Sequence, residues 1–208
     1  MITTIRRAFA LGLLTLAAMT LHGTVWAQAG ADSLVRQISS KVIETAKADP
    51  AIQNGSLGRI SALVETEVMP HVDFEVITRS AVGPAWRTAT PAQRSSLQHE
   101  FKSLVIRVYA GAISQVRQQS VEILKTVPAA GATQVVVQTE VRGQGRPIKL
   151  DYRLDIVPGG EWKIIDVGVG GLWLIQNYRA QFAQQLSQGG VEGLIASLAA
   201  RNNSAGVK

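Results

Sequence analysis

The sequence predicts an α+β domain in which N-terminal helices precede a curved, mainly antiparallel sheet and C-terminal helices return to pack on it. Three observations carry this. Apolar residues recur at three- and four-residue steps as far as Val116, then at two-residue steps from Val121. Two short loops, Gly143–Arg146 and Pro158–Glu161, have the composition of hairpin connections. The strand Trp162–Val169 runs into Gly168, Gly170 and Gly171 and leaves them as a helix, with Leu174, Tyr178, Phe182 and Leu186 on one stripe.

Taken in order, Asp32 or Ser33 is placed to cap a first helix carrying Leu34, Val35, Ile38, Val42 and Ile43, punctuated by Asp49-Pro50 and Asn54-Gly55. A second helix carries Leu57, Ile60, Leu63, Val64 and Val68 and closes at Pro70. Asp73 caps a third, short helix through Phe74 and Ile77 that stops before Gly83-Pro84. Thr90, Pro91 and Gln93 match a capping box with proline at the first helical position. The helix they open carries a wide apolar stripe from Leu97 to Val116, and such a stripe needs a large partner surface. Strands are predicted at Val121–Thr126, Gln134–Arg142, Ile148–Val157 and Trp162–Val169. A last helix, Val191–Leu198, follows a break at Gly189 and Gly190, with fraying from Arg201 onward.

The register follows from closing both hairpins symmetrically. Val141 then faces Ile148, Val137 faces Tyr152 and Val135 faces Leu154. In the second hairpin Leu150 faces Val169, Tyr152 faces Val167 and Leu154 faces Ile165. All of these fall on one side of the sheet. The other side pairs Glu140 with Lys149 and Arg153 with Asp166, opposite charges directly across from each other, on a solvated or polar-covered face. A one-residue slip would destroy both agreements.

The chain has 208 residues, with 21 Lys and Arg, 15 Asp and Glu and no cysteine. Residues 1–27 read as a secretory signal: Arg6 and Arg7, an apolar run Ala8–Leu21, and a small-residue cleavage site at Val25-Trp26-Ala27. The run is short for a membrane span, so an uncleaved anchor is the lesser alternative. Residues 28–208 are then a single exported domain, large enough to bury a core without disulfides. Removing Arg6 and Arg7 leaves 19 basic against 15 acidic residues. Their scatter argues against nucleic acid and suits a weak attraction to anionic membrane surfaces.

Reactive groups are sparse. His71, Asp73 and Glu75 are too close in sequence to share a helix face, which favours a polar helix cap over a metal or acid–base cluster. The glycines at 143 and 145, and at 168, 170 and 171, lack dinucleotide-binding spacing and context. Ser95, Ser96 and Ser103 sit on a helix with no nucleophile elbow. Arg179 has two readings, a clamp on a structural carboxylate such as Asp166 or a contact to a lipid phosphate.

The strand Trp162–Val169, its glycines and the helix opening Asn177, Tyr178, Arg179, Gln181 and Phe182 resemble the MlaC family, bacterial periplasmic phospholipid-binding proteins also called toluene-tolerance auxiliary proteins. Met69–Glu75, Gly83–Arg87 and Thr90–Arg94 fit the same family, and the likeness runs in order from about residue 32 to 198. On residues alone, the apolar sheet face under amphipathic helices is a core. The resemblance implies instead that sheet and helices are held apart around acyl chains. The cavity would be lined by Val135, Val137, Leu150, Tyr152, Leu154, Ile165, Val167 and Val169 from the sheet and Leu104, Val105, Val108 and Tyr109 from the long helix.

The resemblance further implies a phospholipid carrier in the Gram-negative periplasm, with no cofactor, no metal and no catalysis. Its partners would be an inner-membrane ABC transporter bearing a lipid-binding ring and an outer-membrane lipoprotein complex, and its role the maintenance of outer-membrane lipid asymmetry. Three alternatives stand beside it: a carrier of hopanoid or another polycyclic lipid, a small cone-shaped enzyme of ketosteroid-isomerase type, and an adaptor with a dry core. The enzyme would need Tyr152 and Asp166 together, and the register puts them on opposite faces.

Overall fold

The computed structural model describes residues 22–129, 133–143 and 145–204, with side chains described from Gly30 onward. Of the expected signal segment 1–27, residues 1–21 lie outside this range. Helices α1 (His22–Ala48), α2 (Pro50–Gln53), α3 (Leu57–Leu63), α4 (Phe74–Val82) and α5 (Pro91–Ser114) precede an antiparallel sheet of β1 (Ser120–Pro128), β2 (Val135–Arg142), β3 (Ile148–Ile156), β4 (Trp162–Val169) and β5 (Leu172–Trp173) in sequential order. Helix α6 (Leu174–Ser204) closes the fold. This is the expected α+β architecture, with an open sheet.

Local chemistry accounts for most boundaries. Thr90 Oγ1 accepts from Gln93 N while Gln93 Oε1 accepts from Thr90 N, the reciprocal cap that starts α5. Asp73 Oδ1 accepts from Val76 N and starts α4. Helix α6 bends at Gly190, whose φ of 62° and ψ of −158° only glycine adopts readily. Three boundaries differ from the sequence reading. Helix α1 does not begin at Asp32: that carboxylate accepts instead from the Thr126 hydroxyl of β1, tying helix to sheet. The second expected helix keeps α-geometry only to Leu63, continues as a π-helical turn to Val68 and ends in a 3-10 turn at Met69–His71. Arg201–Ser204 is not frayed: α6 continues to Ser204, and buried Asn202 donates to the Glu100 carbonyl and carboxylate, while residues 205–208 lie outside the described range.

The register of β2 with β3 is the one expected, from Val141↔Ile148 to Val135↔Leu154. The second hairpin agrees from Leu150↔Val169 to Arg153↔Asp166 and then shifts, so that Leu154 faces Ile164 rather than Ile165. The cause is a bulge with Ile165 as its extra residue. It falls where β4 leaves the β5 pairing: Val72 bridges to Ile164, and Asp73 N donates to the Ile164 carbonyl. Glu140 and Lys149 face each other, but the Glu140 carboxylate pairs with Arg142 at 3.1 Å.

Apolar burial divides into three clusters. Ala31, Val35 and Ile38 of α1 pack on Val135, Val137, Leu154 and Ile164 of the sheet. Helices α4, α5 and α6 form a second core around Phe101, which meets Tyr178 and Phe182 edge-on at ring-centroid distances of 4.8 and 5.0 Å. The third joins the end of α1 to α2, α3 and Ile106 of α5. Helix α5 packs along other helices, and no strand runs along it among the described residues. Sheet and long helix are joined indirectly, because α4 and α6 pack against both, while α1 packs on the sheet.

Candidate functional site

One face of the sheet is predominantly apolar, interrupted by Thr126 and Thr139, and α1 covers only part of it. Cross-strand partners point to the same side, so the pairings place Val121, Val137, Val141, Ile148, Leu150, Tyr152, Val167, Val169 and Leu172 together. The half bearing Val135, Val137 and Leu154 is closed by α1. At the other half Val121, Val141, Leu150 and Val169 are only half-buried and join no packed cluster among the described residues. Ile148 and Leu172 at its edge are 54% and 72% exposed.

The expected site residues divide accordingly. Val135, Val137 and Leu154 are buried under α1, with Tyr152 and Val167 at the margin of that core. Leu150 and Val169 lie on the uncovered half. Ile165 is buried but stands outside the sheet–α1 cluster, where Ile164 takes the expected place. On α5, Leu104 is buried in the helical core, Val105 and Tyr109 lie at its edge, and Val108 is 53% exposed. The two sets meet where β5 becomes α6, because Leu172 precedes by two residues Leu174, which is packed in the same core as Leu104.

That junction is clamped from the opposite face. Gly170 and Gly171 both have positive φ, 59° and 87°, as a primed two-residue turn requires. Gly168 lies under the Trp173 ring, and an added Cβ would come within 3.3 Å of it. The Asp166 carboxylate, 2% exposed, accepts from Val167 N at 2.9 Å and Ile175 N at 3.1 Å, so a strand side chain caps α6. Arg153 reaches its other oxygen at 3.4 Å while stacking on Trp173 at 4.5 Å. Burial pushes the Asp166 carboxyl above its ordinary range against the opposing pull of these donors. The polar face at Asp166 is thus buried beneath Trp173 and the start of α6. Arg179 does not reach Asp166: its guanidinium donates to the Ser80 carbonyl at 2.8 and 3.1 Å, holding α6 to the end of α4.

The side chains of the uncovered half are hydrocarbon. Tyr152 and Asp166 are on opposite faces, as the register required. Asp73 is engaged as a helix cap, and no group of three or more His, Cys, Asp or Glu able to hold a metal ion occurs among the described residues. The inner face also carries hydroxyls: Thr139, buried opposite Leu150, donates to the Leu150 carbonyl, Thr126 is engaged by Asp32, and Tyr152 lies near Ser39 of α1. Burial pushes the Tyr152 phenol up, and the Ser39 hydroxyl of α1 lies close enough to oppose that shift. The two fall outside hydrogen-bond geometry, leaving buried Ser39 Oγ without a partner among the described residues.

Val141 and Ile148 were placed on this face by the expected register but not among the expected cavity residues, and Leu172, Val121 and Ser39 were not reached from sequence. For Val121, Val141 and Ile148 the signal was present, since each shares the parity of Tyr152 or its partner. Leu172 sits in a two-residue strand too short to show a period, and Ser39 required knowing which side of α1 meets the sheet.

An open antiparallel sheet whose apolar face is partly covered by a helix, with a second helical layer joined at its edge, defines an α+β domain that presents an aliphatic sheet surface. The chain belongs to the MlaC protein family, whose model matches residues 36–200. It is similar to toluene tolerance protein ttg2D of Pseudomonas putida, 28% identical over 91% of this chain and 86% of that protein. It is also similar to the intermembrane phospholipid transport system binding protein MlaC of Haemophilus influenzae, 19% identical over 93% and 92%. Among solved structures it resembles a phospholipid-binding protein from Ralstonia solanacearum in complex with a phospholipid, with 41% identity, a TM-score of 0.78 and coverage of 86% of this chain and 97% of that one.

Proposed function

We propose that this protein is a non-catalytic carrier of phospholipid that holds acyl chains against the uncovered half of its sheet face. One observation carries the reading: Leu150, Val169, Val141 and Val121 form an aliphatic surface that joins none of the packed cores among the described residues. A relative of 41% identity binds a phospholipid, which gives that surface an occupant of matching chemistry. The energetics fit a carrier. Leaving one acyl chain in water costs about 0.8 kcal/mol per CH₂, so the protein must supply aliphatic burial along the chain and needs little from the headgroup.

In this reading residues 1–27 direct export to the periplasm. The carrier exchanges lipid there between an outer-membrane lipoprotein complex and an inner-membrane ABC transporter with a lipid-binding ring, serving outer-membrane lipid asymmetry. The test is native mass spectrometry and solvent extraction of protein purified without detergent. Stoichiometric phospholipid is the expected result, and a clean ligand-free mass with no extractable lipid contradicts the proposal.

A further inference from the structure

The uncovered end of the sheet is bordered by apolar side chains and by a group of cations. Ile148 at 54% and Leu172 at 72% are the most exposed large apolar residues of the strands. They flank one turn, because Gly170 N donates to the Lys149 carbonyl and so sets the β4–β5 turn beside the start of β3. The loop after α5 reaches the same end: Ser120 pairs with Arg142, and a Cβ on Gly143 would come within 2.9 Å of the Gln119 side chain. Arg117, Arg142, Arg146 and Lys149 are therefore gathered around Ile148 and Leu172, all exposed.

Four cations, Arg117, Arg142, Arg146 and Lys149, stand here against two carboxylates. Glu122 and Glu140, the carboxylates on the adjoining strand ends, are both bound to Arg142, at 2.7 and 3.1 Å. Arg117 also donates to the carbonyls of Ser114 and Val116, closing the end of α5. Lys149 lies across from Glu140 on the face opposite Ile148, and neither it nor exposed Arg146 makes a salt bridge among the described residues. Exposed aliphatic side chains inside a cationic border match the interfacial region of a bilayer that carries anionic headgroups: the chains enter the headgroup–acyl boundary while Lys and Arg meet phosphate.

We propose that this end, formed by Arg146–Lys149 and the β4–β5 turn, docks directly on an anionic lipid surface and sets the uncovered sheet face against the bilayer during exchange. The inference rests on the carrier reading, which gives the docked face its cargo. Docking places Ile148 and Leu172 in the boundary and aligns Leu150 and Val169 behind them, so that a lipid moves from bilayer to sheet face along apolar surface.

The test is flotation of the full exported protein with vesicles of phosphatidylethanolamine and phosphatidylglycerol, compared with pure phosphatidylcholine vesicles, at low and high salt. Binding to the anionic vesicles, weakened by salt, is expected. The double variant Arg146→Glu, Lys149→Glu should lower that partition by about tenfold or more, since each cation near such a surface contributes severalfold. Its copurified lipid should match wild type, because neither residue belongs to that aliphatic surface. Leu172→Ser should weaken partition to both vesicle types. Absence of vesicle binding, or binding unchanged in the double variant, overturns the docking proposal, and the second result assigns any contact to another surface. Lipid extraction from the same preparations separates the two claims: loaded protein that ignores vesicles leaves the carrier intact, whereas vesicle binding by protein with no lipid removes the carrier.

Discussion

Asp166 concentrates several of the fold's requirements in one side chain. It is buried, accepts two backbone N–H groups and faces Arg153. Replacement by Ala leaves those donors unsatisfied and should cost about 1–3 kcal/mol in urea denaturation. Asp166→Asn keeps an oxygen for Val167 and Ile175 and relieves a buried charge, so it should cost less than half as much. The pH dependence separates the two effects. Burial raises the carboxyl above 3.8 in the folded state, so the folded protein takes up a proton before the unfolded chain does. Stability from this group is complete below 3.8 and is lost as pH rises through the raised value. Wild type should therefore gain on Asp166→Asn as pH falls through that window, and a constant difference would contradict the assignment. The pairing of Asp166 with Arg153 was legible from strand register alone. Its burial was not, because the lid, Trp173, lies on a strand too short to announce itself.

At the scale of elements, sequence was reliable where both partners of an interaction lie within a few residues. Thr90 and Gln93 are three apart, and the capping box they predict is present. Thr90→Ala should cost about 1 kcal/mol in the same denaturation assay. The break in α6 was likewise local. Gly190 has φ 62° and open space within 4 Å of where a Cβ would stand, so Gly190→Ala should lose about 1–3 kcal/mol from backbone strain alone. Gly193, three residues on, has no such φ; Gly193→Ala should be neutral or stabilising by up to about 1 kcal/mol, and equal losses at both positions would refute the assigned kink. Where partners are distant, local reasoning failed. Asp32 has the composition of a helix cap but is taken by Thr126, 94 residues away. The bulge at Ile165 coincides with contacts from Val72 and Asp73, which no period in β4 encodes.

For the whole molecule, alternation in the strands specified one apolar face and placed Tyr152 and Asp166 on opposite sides of the sheet, but it did not specify coverage. Whether a helix lies over Leu150 or over Val137 depends on the path of α1, and α1 stops at the latter. Lipid content of folded charge variants on the two faces tests this partition most directly. Leu150→Glu places a carboxylate on the uncovered half, where water can hydrate it if lipid leaves. Val136→Glu makes the same change on the other face, opposite Arg153. Circular dichroism should report both variants folded. Phospholipid extracted from detergent-free preparations should fall at least tenfold in Leu150→Glu and stay near the wild-type amount in Val136→Glu. A folded Leu150→Glu protein that retains its full complement of phospholipid would place the lipid elsewhere and contradict the account.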